Sequence, residues 1–483
     1  MCAACGPAGW PRWTPPSPPH DDERNPTEGW SPAITTHDDG PDGLTGLSVL
    51  LTDEREFPDR RVRIDPTVRR ARRRRALLIV AVIVLVIAGA VGGYVAWALN
   101  APLPAPAVTS QTPAVPVPPA VKLALPLEGA TAVSIAGADA YLGPDASGTW
   151  VTAGTNDPRP LASITKLITA LVILEAKPLS GPDDPGPTIV FDKADHDLYD
   201  VYYVAGATIA EMPTGSSMSL HDALATMLIP SASNYAEAVS SWAFGSQGAF
   251  LGAARRWLAQ NGLSGTTIVE PTGLNARNTS TPSDLLAIAK IAAANPVIAQ
   301  ITATPVLTLA GPGTMHNTND LLGSDGVSGL KTGSLGEGNY TLAYTASLDV
   351  GTGEPLAVTG AVLGGFSRES VSGGVRALLS SIRSGFHDVE VAERGDDLGS
   401  FTTPWGSSVR LIVGKDASIF TWSDTPISVV MDLTSPERYA NGEQVGTLTW
   451  TAGPNTTTAN VLVSGSIEPP TAWWRLTHPS ELG

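Results

Sequence analysis

Leu161-Ala-Ser-Ile-Thr-Lys-Leu-Ile-Thr-Ala-Leu-Val-Ile-Leu-Glu175 is the stretch on which the fold turns. Its apolar residues Ile164, Leu167, Ile168, Leu171 and Val172 recur at helical spacing, which predicts an amphipathic helix packed into a core. Ser163 and Lys166 stand three residues apart near its start, so both side chains project from one face within reach of each other. A serine hydroxyl is a weak nucleophile until a neighbour takes its proton, and a desolvated lysine is able to do so. The spacing alone is common, and its meaning depends on what accompanies it.

Downstream, Ser219-Leu-His-Asp222 reads as a capping box opening a second helix with Leu220, Leu224, Met227 and Leu228 on its apolar face. That helix stops at Ile229-Pro230, because proline biases its predecessor away from the helical region. A serine-rich turn follows, Ser231-Ala-Ser-Asn-Tyr-Ala236, and then a helix over Pro282–Ile291. Gly329-Leu-Lys-Thr-Gly-Ser334 precedes two strand-like runs, Tyr340–Ser347 and Leu356–Leu363. Upstream, Ala132–Ile135, Ala138–Leu142 and Trp150–Ala153 read as strands, as does Thr188–Phe191 beyond the first helix.

The amino-terminal part is built differently. Residues 1–75 are rich in Pro, Asp, Gly and Arg and predict a disordered tail, in which the Cys2/Cys5 pair has no partner pair for a metal or disulfide framework. They carry 12 basic and 12 acidic residues, so the formal net charge of −16 resides wholly beyond them. An acidic distal part argues against nucleic acid as a partner. Ala76 to Leu99 is free of charge over 24 residues. As a helix it would be ~36 Å long, enough for a ~30 Å hydrocarbon core. The basic run Arg69–Arg75 on its N-terminal flank predicts a single span with the distal part outside the cell. Residues 100–120 hold seven prolines from position 102 on and predict an extended polyproline stalk of up to ~60 Å.

After residue 386, short strands are expected at Ser408–Val413, Ala417–Thr421, Ile427–Leu433, Val445–Trp450 and Asn460–Ser464, separated by Gly, Asp and Pro turns. They predict a small antiparallel β domain over 387–468, followed by a tail, 469–483. The two aromatics of Trp473-Trp-Arg-Leu-Thr-His478 are read as packing on the protein rather than on a membrane, since so short a segment buries little apolar area. No Gly-x-Ser-x-Gly occurs, so a Ser-His-Asp hydrolase has no support, and the histidines are read as surface or packing residues.

Ser163-x-x-Lys166, the Ser231 turn 68 residues on and Lys331-Thr-Gly333 another 100 on form a serine–lysine constellation. It resembles that of penicillin-binding proteins and serine β-lactamases. Within that group the chain most resembles the low-molecular-weight D-alanyl-D-alanine carboxypeptidases. The resemblance rests on Ala162-Ser-Ile-Thr-Lys166, the Ser231 turn, Pro271-Thr-Gly-Leu274, Ser280-Thr-Pro-Ser-Asp284 and Gly329-Leu-Lys-Thr-Gly333. It implies an α/β (α+β) transpeptidase fold over 121–386 followed by the β domain. It also implies a serine D,D-peptidase that binds β-lactam antibiotics and trims peptidoglycan stem peptides ending in D-Ala-D-Ala. No metal or organic cofactor is implied. A serine β-lactamase, or a catalytically weak wall-binding protein that keeps the pocket, is the alternative.

Carried over residue by residue, the resemblance makes Ser163 the nucleophile, Lys166 its general base and Ser231 a proton shuttle to the departing amine. Lys331 with the Thr332 hydroxyl would hold the substrate carboxylate, and Gly333 would let substrate backbone lie close to the strand. The backbone N–H groups of Ser163 and Ser334 would form the oxyanion hole. One position departs from the family pattern Ser-x-Asn. Counting from Ser231, the third residue is Ser233, and Asn234 comes one later. Either Ser233 replaces the amide or a shifted turn brings Asn234 to its place.

Overall fold

In the computed structural model, which describes residues 66–483, the chain enters as a helix, Pro66–Asn100. The expectations for the Cys2/Cys5 pair and for the tail up to residue 65 lie outside the described residues. Residues 66–75, expected to belong to that irregular tail, are instead the first turns of the helix. Pro66 suits a first helical position and arginine is a good helix former, so the basic run prolongs the apolar helix rather than preceding it. The helix has mean hydropathy 2.9 over its most apolar window, no part of which is buried, so it is long and apolar enough to cross a membrane.

From Val91 onward the chain forms a separate unit. At its centre is a five-stranded antiparallel sheet in the order Val327–Ser334, Tyr340–Leu348, Leu356–Gly365, Ala130–Ala136, Val151–Ala153. Alternation along the strands sends residues to two different cores. Ala132, Ala343, Ala361 and Leu363 join the core of the helical side, which holds Thr165–Ala176, Leu220–Leu228, Ser233–Phe244 and Pro282–Ala294. Val133, Leu342, Tyr344 and Val362 join the other, beneath the helix Arg368–Gly385. The small residues lie toward the helices that carry the site and so allow close approach.

Several local signals act as expected. Ser219 caps Leu220–Leu228 by accepting from the Asp222 N–H, and that helix ends just before Ile229-Pro230. Two expectations are corrected. Ala138–Leu142 is not a strand; Asp139–Leu142 is one helical turn. The Ser163 segment is not helical from its first residue. Ala162–Ile164 is a 3-10 turn, and the α-helix starts at Thr165.

The carboxy-terminal strands form a six-stranded antiparallel sheet around Leu411, Val413, Val445, Leu448, Trp450 and Val461, beside a pair Phe386–Ala392 and Ala417–Trp422. Its edge strand is Ala107–Ser110, which pairs with Asp397–Thr402. The expected free stalk is therefore interrupted. Ala-Val-Thr-Ser is the proline-free part of the linker, and an edge position leaves one side of its backbone unpaired, as the neighbouring prolines require. At the far end, Arg475 in the turn of helix Ala472–Thr477 donates to the Ala98 and Ala101 carbonyls at 3.3 and 2.8 Å. Trp474 packs edge-on to Trp405 at 5.6 Å, as a packing residue would, while Trp473 remains 74% exposed.

Candidate active site

The site is assembled where the Ser163 turn meets the edge strand Val327–Ser334. Ala162 adopts φ +51°, a strained conformation for a residue with a side chain, and this tight turn sets Ser163 just ahead of the helix. Two glycines press on the turn from opposite elements. A Cβ on Gly273 would collide with the Ala162 carbonyl, and one on Gly333 would stand 2.9 Å from the Ser163 backbone nitrogen. The turn is also tied down by hydrogen bonds. Thr341 Oγ1 donates to the Leu161 carbonyl at 3.1 Å, and Asn278 Nδ2 donates to Thr165 Oγ1 at 3.2 Å.

Lys166 lies wholly inside the protein. Its Nζ reaches the Ser163 hydroxyl at 3.0 Å and the Thr272 carbonyl at 2.7 Å. Burial disfavours the ammonium form and pushes its pKa down to about 7, against the opposing pull of the Glu270 carboxylate. An amine that is substantially neutral near pH 7 and hydrogen-bonded to a serine hydroxyl is equipped to take that serine's proton.

The helix Leu220–Leu228 delivers Ser231 in the left-handed region at φ +71°. Its Oγ is buried and has no hydrogen-bond partner among the described residues. An unpartnered buried hydroxyl is costly and suits a group that acts on something bound. The next two positions are engaged otherwise. Ser233 is buried, and its N–H donates to the Thr208 carbonyl at 2.8 Å. Asn234 binds Ala210 from both ends of its amide: Oδ1 accepts from the Ala210 N–H at 3.2 Å, and Nδ2 donates to its carbonyl at 2.8 Å. The Asn234 amide therefore holds the 208–210 segment and is not presented as a free contact.

Lys331 is buried on the strand, with Nζ donating to Thr318 Oγ1 at 3.2 Å and to the Thr332 carbonyl at 3.0 Å. Among the described residues no carboxylate is hydrogen-bonded to it. Burial, and then the charges of Lys166 and Arg368, push its pKa well down. A carboxylate bound beside Nζ would oppose all three effects and hold the lysine charged. Thr332 Oγ1 donates to Thr318 Oγ1 at 2.6 Å, and Ser334, at the exposed strand end, accepts the Gly336 N–H at 3.2 Å.

Four participants were not singled out in the sequence. Thr318 links Lys331 to Thr332, and Arg368 donates to the Thr318 carbonyl at 2.9 Å. Glu270 and Asn278 brace the 271–274 loop beneath Lys166. Arg368 follows Ser367, whose side chain caps the next helix, and that cap was a readable signal for the element though not for its place in the site. Glu270 directly precedes the Pro-Thr-Gly-Leu motif, but nothing in its spacing shows where the carboxylate points.

The sequence pattern of the family described as D-alanyl-D-alanine carboxypeptidase matches residues 130–361, just under half of the chain. Among similar proteins, a D-alanyl-D-alanine endopeptidase of Pseudomonas aeruginosa is 28% identical over 198 residues, which are 39% of this chain and 60% of that one. A D-alanyl-D-alanine endopeptidase of Escherichia coli is 30% identical over 173 residues, 35% of this chain and 52% of that one. The match thus spans little more than half the length of these relatives. Among solved structures, the Streptomyces K15 DD-transpeptidase is similar at 25% identity and TM-score 0.44, covering 54% of this chain and 97% of that one. Penicillin binding protein 6B from Escherichia coli is similar at 18% identity and TM-score 0.48, covering 74% and 100%. The serine–lysine pair and the Lys-Thr-Gly strand both lie inside the segment 130–361 that matches the D-alanyl-D-alanine carboxypeptidase family.

Proposed function

We propose that this chain is a serine D,D-peptidase that removes the terminal D-alanine from peptides ending in D-Ala-D-Ala, and that β-lactams acylate the same serine. The observation that carries the reading is the 3.0 Å hydrogen bond between Lys166 Nζ and Ser163 Oγ, with the lysine fully buried and brought to about 7. Ser163 Oγ attacks the carbonyl between the two D-alanines while its proton passes to the neutral Lys166. The N–H groups of Ser163 and Ser334 receive the developing oxyanion. The C–N bond then breaks. The departing amine takes the proton from Lys166 by way of Ser231, leaving an acyl ester on Ser163, which water hydrolyses. Lys331 and the Thr332 hydroxyl hold the terminal carboxylate of the substrate. Gly333 keeps the strand open to substrate backbone.

Two further features belong to this reading. The helix Pro66–Asn100 would anchor the enzyme in the cell membrane, with its basic N-terminal flank in the cytoplasm and the peptidase outside, facing peptidoglycan. A buried lysine without a carboxylate partner favours a substrate that ends in a free carboxylate, hence a carboxypeptidase. The relatives from Pseudomonas aeruginosa and Escherichia coli carry the name endopeptidase, which makes cleavage of cross-linked peptides the second reading.

The test is incubation of the full chain with a fluorescent penicillin, followed by product analysis on a pentapeptide and on a cross-linked dimer. Covalent label on Ser163 and release of free D-alanine are expected. Dimer cleavage without D-alanine release would favour the endopeptidase. Rapid loss of the label with turnover of penicillin would make the chain a β-lactamase, and no label at all would leave it a wall-binding protein.

A further inference from the structure

We infer that Glu270 is a positioning residue of this reaction: as a carboxylate it folds the Pro271–Leu274 loop around itself, aims the Thr272 carbonyl at Lys166, and sets an anion beside that lysine. The inference rests on the reading of Ser163 and Lys166 as nucleophile and base.

The carboxylate is enclosed by donors. Oε2 accepts from the Thr272 N–H and from Thr272 Oγ1, both at 2.6 Å. Oε1 accepts from the Gly273 N–H at 2.7 Å, the Asn275 N–H at 3.3 Å and Asn278 Nδ2 at 2.7 Å. Neither oxygen faces an acceptor among these partners, so the ionised form satisfies all of them. An acid or an amide would turn a hydrogen toward another donor. Asn278 extends the brace, since its Nδ2 also reaches Thr165 Oγ1 at 3.2 Å, in the first turn of the nucleophile helix. Thr272, fixed through its own N–H and hydroxyl, presents its carbonyl to Lys166 Nζ at 2.7 Å. One side chain thereby determines both the direction in which the lysine points and the charge it meets.

The charges around Lys166 are few and of known sign. From the strand comes Lys331, a like charge, with Arg368 beyond it. Next to Glu270, Tyr202 on the helix Lys193–Val204 meets the charges of Glu237 and Glu270 and is hydrogen-bonded to Glu237 on the helix Ser233–Phe244. From the 270–275 loop comes Glu270, whose charge raises the proton affinity that burial lowers. Without that anion, the lysine would release its proton at lower pH and lose the carbonyl that orients it. Glu270 thus sets how far toward neutrality the base is driven.

The test is the pH dependence of the acylation rate of the full-length chain by a chromogenic penicillin, compared among the wild type, E270Q and E270D. In the wild type the rate rises through an acid limb near pH 7. In E270Q the plateau falls and the limb moves to lower pH. At pH 5.5 the rate relative to its own plateau is then about tenfold that of the wild type, the effect of about one pH unit. E270D keeps the charge, so its limb stays in place while its plateau falls. If E270Q does not fold, E270A serves as the uncharged variant under the same comparison. Lower plateaus with an unmoved limb in the uncharged variant would reduce Glu270 to a loop brace and overturn the inference, as would equal limb shifts in E270D and E270Q. Failure of both uncharged variants to fold would assign the residue to the fold and overturn it too. A wild-type chain that takes no penicillin on Ser163 would instead overturn the reading of the site.

Discussion

Asn234 and Ala210 are joined by two buried hydrogen bonds, the amide oxygen accepting from the Ala210 N–H and the amide nitrogen donating to its carbonyl. The asparagine acts as a side-chain rung between the start of helix Ser233–Phe244 and the segment before it. Asn234→Ala leaves both backbone groups of Ala210 without partners in a buried place. The expected loss is about 2–6 kcal/mol of stability, since each of the two stranded groups costs about 1–3 kcal/mol. Urea unfolding monitored by tryptophan fluorescence measures it, and a loss below half a kcal/mol would contradict the rung.

Ser163→Ala should abolish covalent labelling by fluorescent penicillin while the thermal transition shifts by no more than a few degrees. The hydroxyl is hydrogen-bonded to Lys166, which keeps the Thr272 carbonyl when the hydroxyl is gone. Normal labelling stoichiometry in this variant would remove Ser163 from the mechanism.

Acylation of the wild type should rise with pH through about 7, because the proposed base, Lys166, can take a proton only when neutral and burial brings it to about 7. The stability of the folded chain has a related dependence. A lysine whose pKa is lowered on folding binds more protons in the unfolded chain over the window from about 7 up to its ordinary value of 10.5. Its contribution to stability therefore rises with pH across that window. Lys166→Met removes this slope and eliminates labelling. Stopped-flow acylation rates and denaturation midpoints over pH 5.5–10 test the two effects separately.

Gly333→Ala should slow acylation by about a hundredfold or more, the scale on which small misplacements of reacting groups act. The added methyl would meet Thr341 Oγ1, the Ser163 nitrogen and Ala162 Cβ, so the nucleophile turn or the strand has to move. The effect should appear in the rate of acylation by penicillin and less in the thermal midpoint. Wild-type acylation would mean that the strand does not bear on the nucleophile.

The motifs were legible because each is local: a serine and lysine one helical turn apart, a serine after a proline-terminated helix, and a lysine-threonine-glycine on a strand. That residues 163, 231 and 331 serve one site is implied only by the resemblance, since no periodicity brings them together. The helix Arg368–Gly385 was missed although Val371, Val375, Leu378, Leu379 and Ile382 keep helical spacing. Gly373, Gly374 and several serines lower the local propensity, and packing beneath the sheet overrides it. Asp139–Leu142 was misread because four residues, Asp-Ala-Tyr-Leu, show too little of any period to separate a strand from one turn of helix. Glu270, Thr318 and Arg368 act through partners far along the chain or through the folding of a loop, and single-residue patterns do not encode such geometry.

The edge strand Ala107–Ser110 changes the mechanical character of the tether. Only six residues separate the end of helix Pro66–Asn100 from the first residue paired with Asp397–Thr402. A free polyproline leash would let the enzyme explore a hemisphere of tens of ångströms, at ~3.1 Å per residue. Here the leash is replaced by a splice. Tension along the linker is borne in shear by the antiparallel strand pair and, beside it, by the Arg475 clasp on Ala98 and Ala101. The β domain thus acts as a stress-bearing joint between the helix end and the segment that follows the linker.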